Sequence, residues 1–304
     1  DIDQPESGAV AGTPLEIVEQ RPHEIAADVG AAPDRLLLAR ALEGIEQRAW
    51  RDRWSAADDA VVEALGLELA DVDGATSLVA ARVDSLLMNR VIGLGVHRRA
   101  GDATLDALAA HHAGRPAHAV NLCPWAEPDD LTQRLRERGY GNWFHHVKWC
   151  RDASAIAPVA SALRITPVTA ADAGDFATLA AELFAEGDAA SARWHRSAVG
   201  RDGWTHLVAR DGDAPVACGA VFVRDGLAWI GLGGTLESHR RRGAQGALLA
   251  HRVHLAIESG ARLITLETAP DWPELDPVSW RNAQRAGFQV AYDRPSWIPS
   301  PQGT

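Results

Sequence analysis

Trp229-Ile-Gly-Leu-Gly-Gly-Thr-Leu-Glu-Ser-His-Arg240-Arg-Arg-Gly-Ala-Gln-Gly-Ala-Leu-Leu-Ala-His-Arg-Val-His-Leu-Ala-Ile-Glu-Ser-Gly260 carries three structural signals in succession. The apolar, glycine-bearing run 228–235 predicts a buried strand. A tight basic turn follows at 240–246. Beyond it, Leu249, Val253, Ala256 and Ile257 fall at i, i+4, i+7 and i+8, one apolar face of a helix closed by Gly260. A strand that feeds a glycine-rich turn at a helix start makes an anion site. The first helical amides have no partner inside the helix, and the helix dipole adds partial positive charge there. Gly243 and Gly246 let a phosphate approach the backbone, and Arg240, Arg241 and Arg242 supply fixed charge with forked donors.

The turn has neither the Walker spacing nor that of a dinucleotide-binding Rossmann loop. It resembles the pyrophosphate loop of the GNAT superfamily of acyl-CoA-dependent N-acyltransferases, usually Q/R-x-x-G-x-G/A. Arg240-x-x-Gly243 matches; Gln245 stands at the last small position, with Gly246 and Ala247 after it. The competing reading is a solvated arginine turn capping an ordinary strand–helix unit. A second stretch, Asp276-Pro-Val-Ser-Trp-Arg-Asn-Ala-Gln-Arg-Ala-Gly-Phe288, resembles the closing motif of the same family. Asp276 stands where the family often has Asn, and Ala283 where it has Tyr. The resemblance implies that Gly233, Gly234, Thr235, Arg240, Arg241, Arg242, Gly243, Ala244, Gln245, Gly246, Ser279 and Asn282 bind acetyl-CoA, used as co-substrate. It covers roughly 162–297; for the first half it lies in element order only.

Working outward, the second half predicts strands at 163–168, 205–210 and 214–223 before the central stretch, and at 262–268 and 288–293 after it. Helices are predicted at 171–186, 191–197 and 278–286. The first half shows the same order: a hairpin at 68–72 and 77–83 around Asp73-Gly74, a glycine-bearing strand at 89–96, a helix at 102–112, a strand at 117–122, a helix at 129–138 and a strand at 142–150. Two helices precede it, at 34–51 and at 55–65, the second opened by a Ser55 cap. The corresponding first-half turn is His97-Arg-Arg-Ala-Gly-Asp102, with an acid at the helix start, where it would repel phosphate. The expected organisation is an N-terminal arm at 1–31, a degenerate GNAT-like domain at 32–160 and a catalytic, acyl-CoA-binding GNAT domain at 161–304. The expected fold class is mixed α/β: two tandem GNAT-like domains, each a mixed, largely antiparallel sheet flanked by helices.

A chain of 304 residues has ample core for two domains. The net charge of −11 argues against general nucleic-acid binding and makes the arginine cluster a local exception suited to a small anionic ligand. Cys123, Cys150 and Cys218 form no disulfide or zinc spacing, and the histidines are scattered, so no metal is expected and a reducing cytoplasm is the expected setting. No apolar run is long enough to span a membrane. A monomer or homodimer is expected.

The family's chemistry requires a deprotonated amine. Bringing an alkylammonium from pKa about 10.4 to near 7 is worth roughly 4–5 kcal/mol. Glu267, an acid inside the apolar run 263–268, is the candidate base, directly or through a water, with Glu237 and His239 as runners-up. A backbone N–H near residues 233–235 is the candidate oxyanion donor. Only two tyrosines exist, and Tyr292 is the candidate general acid. The eleven tryptophans are expected mostly in the cores, with some available to line an acceptor pocket. The expected activity is transfer of an acetyl group to the primary amine of a small molecule by direct attack on the thioester. The alternatives are a catalytically silent CoA-binding sensor or scaffold, and acyl transfer to a hydroxyl or from a longer acyl-CoA.

Overall fold

The computed structural model describes residues 32–184, 189–270 and 278–300. The expected arm at 1–31, Asp276 and the last residues of the second domain lie outside the described residues. The described residues open with α1 (Ala32–Ser55) and α2 (Asp59–Leu65), then β1 (Leu67–Val72), β2 (Ala75–Ala80) and β3 (Arg90–Ile92). Next come α3 (Asp102–His112), β4 (Ala119–Asn121), α4 (Leu131–Glu137) and β5 (Tyr140–Asp152). The second series is β6 (Arg164–Pro167), α5 (Ala173–Leu183), α6 (Ala189–Ser197), β7 (Trp204–Asp211), β8 (Ala214–Arg224) and β9 (Leu227–Thr235). A single 3₁₀ turn (Glu237–His239) leads into α7 (Ala244–Glu258), β10 (Leu263–Thr268), α8 (Val278–Arg285) and β11 (Gln289–Pro299).

The internal repeat is visible in the strand pairing. β1, β2 and β3 pair antiparallel, and β3 then pairs parallel with β4 across the α3 crossover. β7, β8 and β9 pair antiparallel, and β9 pairs parallel with β10 across α7. Each series is thus a mixed, largely antiparallel sheet with helical connections.

The residues divide into two compact units. One holds 62–147 with 32–54 and 290–300, so the last described strand belongs with the first described ones. Here β11 pairs antiparallel with β4, Ser296 opposite Asn121. α1 buries Ala39, Leu42, Ile45 and Ala49, but also Glu43 and Glu46. Arg294 of β11 answers both carboxylates, at 2.7 Å to Glu43 and 2.9 Å to Glu46, so the buried charges are paired. The glycine-bearing strand expected at 89–96 is cut to three residues, because Gly93 (φ 76°) and Gly95 (φ 71°) turn the chain out of the sheet. A Cβ at Gly93 would lie 2.6 Å from the Gln47 amide, and one at Gly95 2.6 Å from the Glu127 carbonyl, so this corner is filled by the protein itself. Asp102 at the start of α3 is bridged by Arg138 at 2.8 Å, which holds its carboxyl below the ordinary range.

The other unit holds 148–289 with 55–61. Asp58, not Ser55, caps α2: its carboxylate accepts from the Val61 N–H at 2.9 Å. Leu207, Ala209, Ala217, Ala244 and Leu248 form a core between β7, β8 and α7, while Phe176, Leu179, Ala180, Val208 and Cys218 seat α5. Trp194, Trp204 and Trp229 are buried in this unit. Among the described residues no helix is long and apolar enough to cross a membrane.

Candidate acyl-CoA site

β9 is irregular where a strand would have to expose its backbone. Ala220 faces Gly231 and Cys218 faces Gly234, so Leu232 and Gly233 together oppose Gly219, and Leu232 takes φ 53°. The parallel pairing with β10 covers only Leu227–Trp229 against Leu263–Thr265, written by partner as Leu263↔Leu227, Ile264↔Ala228 and Thr265↔Trp229. Beyond that point β9 runs on to Thr235 and β10 to Thr268 without pairing to each other. The two strands therefore part next to the bulge.

After β9 the chain turns through two left-handed residues, Arg241 (φ 62°) and Gly243 (φ 78°), and Gly243 is the N-cap of α7. Such a corner turns successive amides to one side at the positive end of a helix. It opens on a cavity of about 440 Å³. Thr235, Arg240, Arg241, Gly243, Ala244, Gln245, Gly246 and Asn282 line it, so two sequence-distant motifs meet in one place. Gln245 donates to the Thr235 hydroxyl at 2.7 Å, tying the end of β9 to the first turn of α7.

Of the other expected cofactor residues, Gly233, Gly234, Arg242 and Ser279 are not among the lining residues. Arg242 is turned to the end of β7, where Nη1 donates to Asp211 at 2.7 Å and pulls that carboxyl below its ordinary range. Gly233 and Gly234 are small for packing. A Cβ on Gly234 would sit 2.9 Å from Leu183, and one on Gly233 3.1 Å from Gln245 and 3.2 Å from Arg252. Ser279 sits on the first turn of α8 and is not among the described lining residues. The sequence reading missed Ile156, Pro158, Val159 and Arg285, which also line the cavity. The first three gave no periodic signal. Arg285 could have been found, three residues after Asn282 and hence on the same helix face.

Glu267 is half-buried on β10 beyond the last β9 partner, with Lys148 Nζ at 3.9 Å from its carboxylate. Trp149 Nε1 donates to Thr268 Oγ1 at 2.9 Å beside it. Glu237 is exposed in the 3₁₀ turn, while His239 lines the cavity at its arginine-rich end. Tyr292 requires a correction. Its hydroxyl is fully buried in the other unit and donates to Glu43 at 2.7 Å, and burial raises its pKa well above the ordinary value. A hydroxyl committed to a buried carboxylate serves packing and pairing, not proton delivery to a leaving thiolate.

A parted pair of parallel strands beside a bulge is thus followed by an arginine-lined corner at the next helix start. Residues 175–274 match the sequence profile of the Acetyltransferase (GNAT) family. Solved structures show the fold over nearly the whole chain. A GCN5-related N-acetyltransferase from Kribbella flavida aligns with TM-score 0.59 at 19% identity, covering 88% of this chain and 96% of that one. One from Sphaerobacter thermophilus aligns with TM-score 0.54 at 17% identity, covering 90% and 96%. A tandem GNAT protein from the clavulanic acid biosynthesis pathway aligns with TM-score 0.50 at 19% identity, covering 70% and 76%. No curated protein sequence matches the chain.

Proposed function

We propose that the protein is an acetyl-CoA-dependent N-acetyltransferase acting on the primary amine of a small molecule, with one working acyl-CoA site. The observation that carries this reading is the cavity at the left-handed corner before α7, with Arg240, Arg241 and Arg285 on its walls beside the parting of β9 and β10. Its donors suit a pyrophosphate: backbone amides at a helix start for the non-bridging oxygens, and guanidinium groups for the charge. In the first half the glycines at the corresponding strand end are packed by Gln47 and Glu127, and the helix start carries Asp102 bridged to Arg138, which supports a single site. Glu267 is the proposed base, stationed where the strands separate. Holding amine and thioester together supplies much of the remaining acceleration, roughly 7–11 kcal/mol in well-oriented systems.

One observation favours a second reading, a CoA-binding protein without turnover. Both tyrosines are committed elsewhere, Tyr140 to His118 at 2.8 Å and Tyr292 to Glu43. Calorimetric titration with acetyl-CoA, then thiol release over a panel of polyamines, free amino acids and arylalkylamines, separates the two. Binding with amine-dependent thiol release supports transfer; binding without it supports the sensor; no binding overturns both. Hydroxyl acceptors and longer acyl-CoAs in the same panel test the remaining variants.

A further inference from the structure

α7 buries an apolar face made of Leu248, Leu249, Val253 and Ala256, and among them Arg252, which is only 4% exposed. Burial lowers its pKa to about 10. Among the described residues it has no carboxylate partner: Nε donates to Leu248 O at 3.2 Å, one helical turn back, and Nη1 to Gly231 O at 3.0 Å. Leaving a guanidinium in a core without a counter-ion is costly. The sheet is carved to admit it. A Cβ on Gly219 would lie 2.8 Å from Cζ of Arg252, and one on Gly233 3.2 Å from both terminal nitrogens.

We propose that Arg252 is a positioning residue that holds the β9 bulge in the shape needed for acyl transfer. Its donation fixes the Gly231 carbonyl toward α7, and a planar trans peptide then turns the Leu232 N–H the opposite way. On the next peptide the Cys218 thiol donates to Leu232 O at 3.6 Å, so the carbonyls of both peptides flanking Leu232 are held. Leucine is disfavoured at positive φ, and Leu232 keeps φ 53° with these two donors in place. The guanidinium also sets fixed positive charge behind the strand whose amides would meet developing negative charge on an acyl oxygen.

The inference rests on the acyl-transfer reading, and its test separates the two. Arg252→Met, Arg252→Lys and Gly219→Ala, the last displacing the guanidinium without removing it, are compared with the wild type. Three quantities are measured: acetyl-CoA affinity by calorimetry, acetyl-CoA thiol release with and without amine, and amide hydrogen exchange of residues 231–234. In Arg252→Met, kcat falls by about a hundredfold and exchange at the bulge quickens. Its acetyl-CoA affinity stays within about twofold. Lysine restores part of kcat, and Gly219→Ala reproduces the loss. Wild-type kcat and unchanged exchange in Arg252→Met and Gly219→Ala would overturn the proposal. Should the wild type release no thiol, the acyl-transfer reading fails, and the exchange measurement alone decides whether Arg252 holds the bulge.

Discussion

Replacing Tyr292 with phenylalanine separates a structural hydroxyl from a catalytic one. The ring is fully buried and meets Trp125 edge-on, with centroids 5.0 Å apart, so phenylalanine keeps the packing and deletes one oxygen. That oxygen donates to Glu43 at 2.7 Å, and Glu43 keeps its ion pair with Arg294 at 2.7 Å in the variant. A hydrogen bond to a buried charged acceptor contributes about 1.5–3 kcal/mol. The expected loss is of that size, on the order of 3–12 °C in melting temperature. Urea titration should show a lower midpoint at unchanged slope, while kcat for thiol release stays within about twofold of wild type. The opposite pattern, an unchanged midpoint with kcat reduced by about a hundredfold, would refute the assignment and restore Tyr292 as general acid.

Gly243→Glu places a side chain at φ 78° and a negative charge at the start of α7; the Michaelis constant for acetyl-CoA should rise about tenfold or more. Arg242→Ala, by contrast, removes only a contact to Asp211 and should leave that constant within about twofold. Glu267→Gln should lower turnover most at low pH, where the amine most needs a base; a pH–rate profile parallel to wild type would leave Glu267 structural. Burial pushes His112 down to about 2 and His118 down to about 4, both below the ordinary value of 6.5. Between those values and 6.5 the unfolded chain binds protons that the folded chain does not, so stability falls as pH drops. The slope is about 1.4 kcal/mol per pH unit for each histidine. Thermal melts from pH 7 to 4 should show this decline, with a shallower slope in His118→Gln.

The corner before α7 was legible because its signals are local: a glycine-bearing strand, a basic turn, a helix with one apolar face. The topology followed from the same kind of local order. What the local pattern could not supply were partners far along the chain. Gly233 and Gly234 announced a close approach, but glycine does not say what approaches, and Leu183 and Arg252 are the answer. Tyr292 read as available because Glu43, which fixes its role, is 249 residues earlier. The wall formed by Ile156, Pro158 and Val159 comes from an irregular segment without periodicity. Arg252 was within reach of sequence reasoning: a charged residue between Leu249 and Val253 falls on the helix face that packs inward.

The placement of β11 bears on how the polypeptide can be made and divided. Its residues 290–300 belong to the unit built from the earliest described helix and strands, and Trp297 faces Val120. Synthesis therefore delivers this neighbour of β4 long after β4 itself, and that strand waits with an open edge until the intervening unit has been made. Cutting the gene midway, between the two copies of the repeat, would strand β11 with the wrong piece. The two fragments should be recovered in folded form only when produced together.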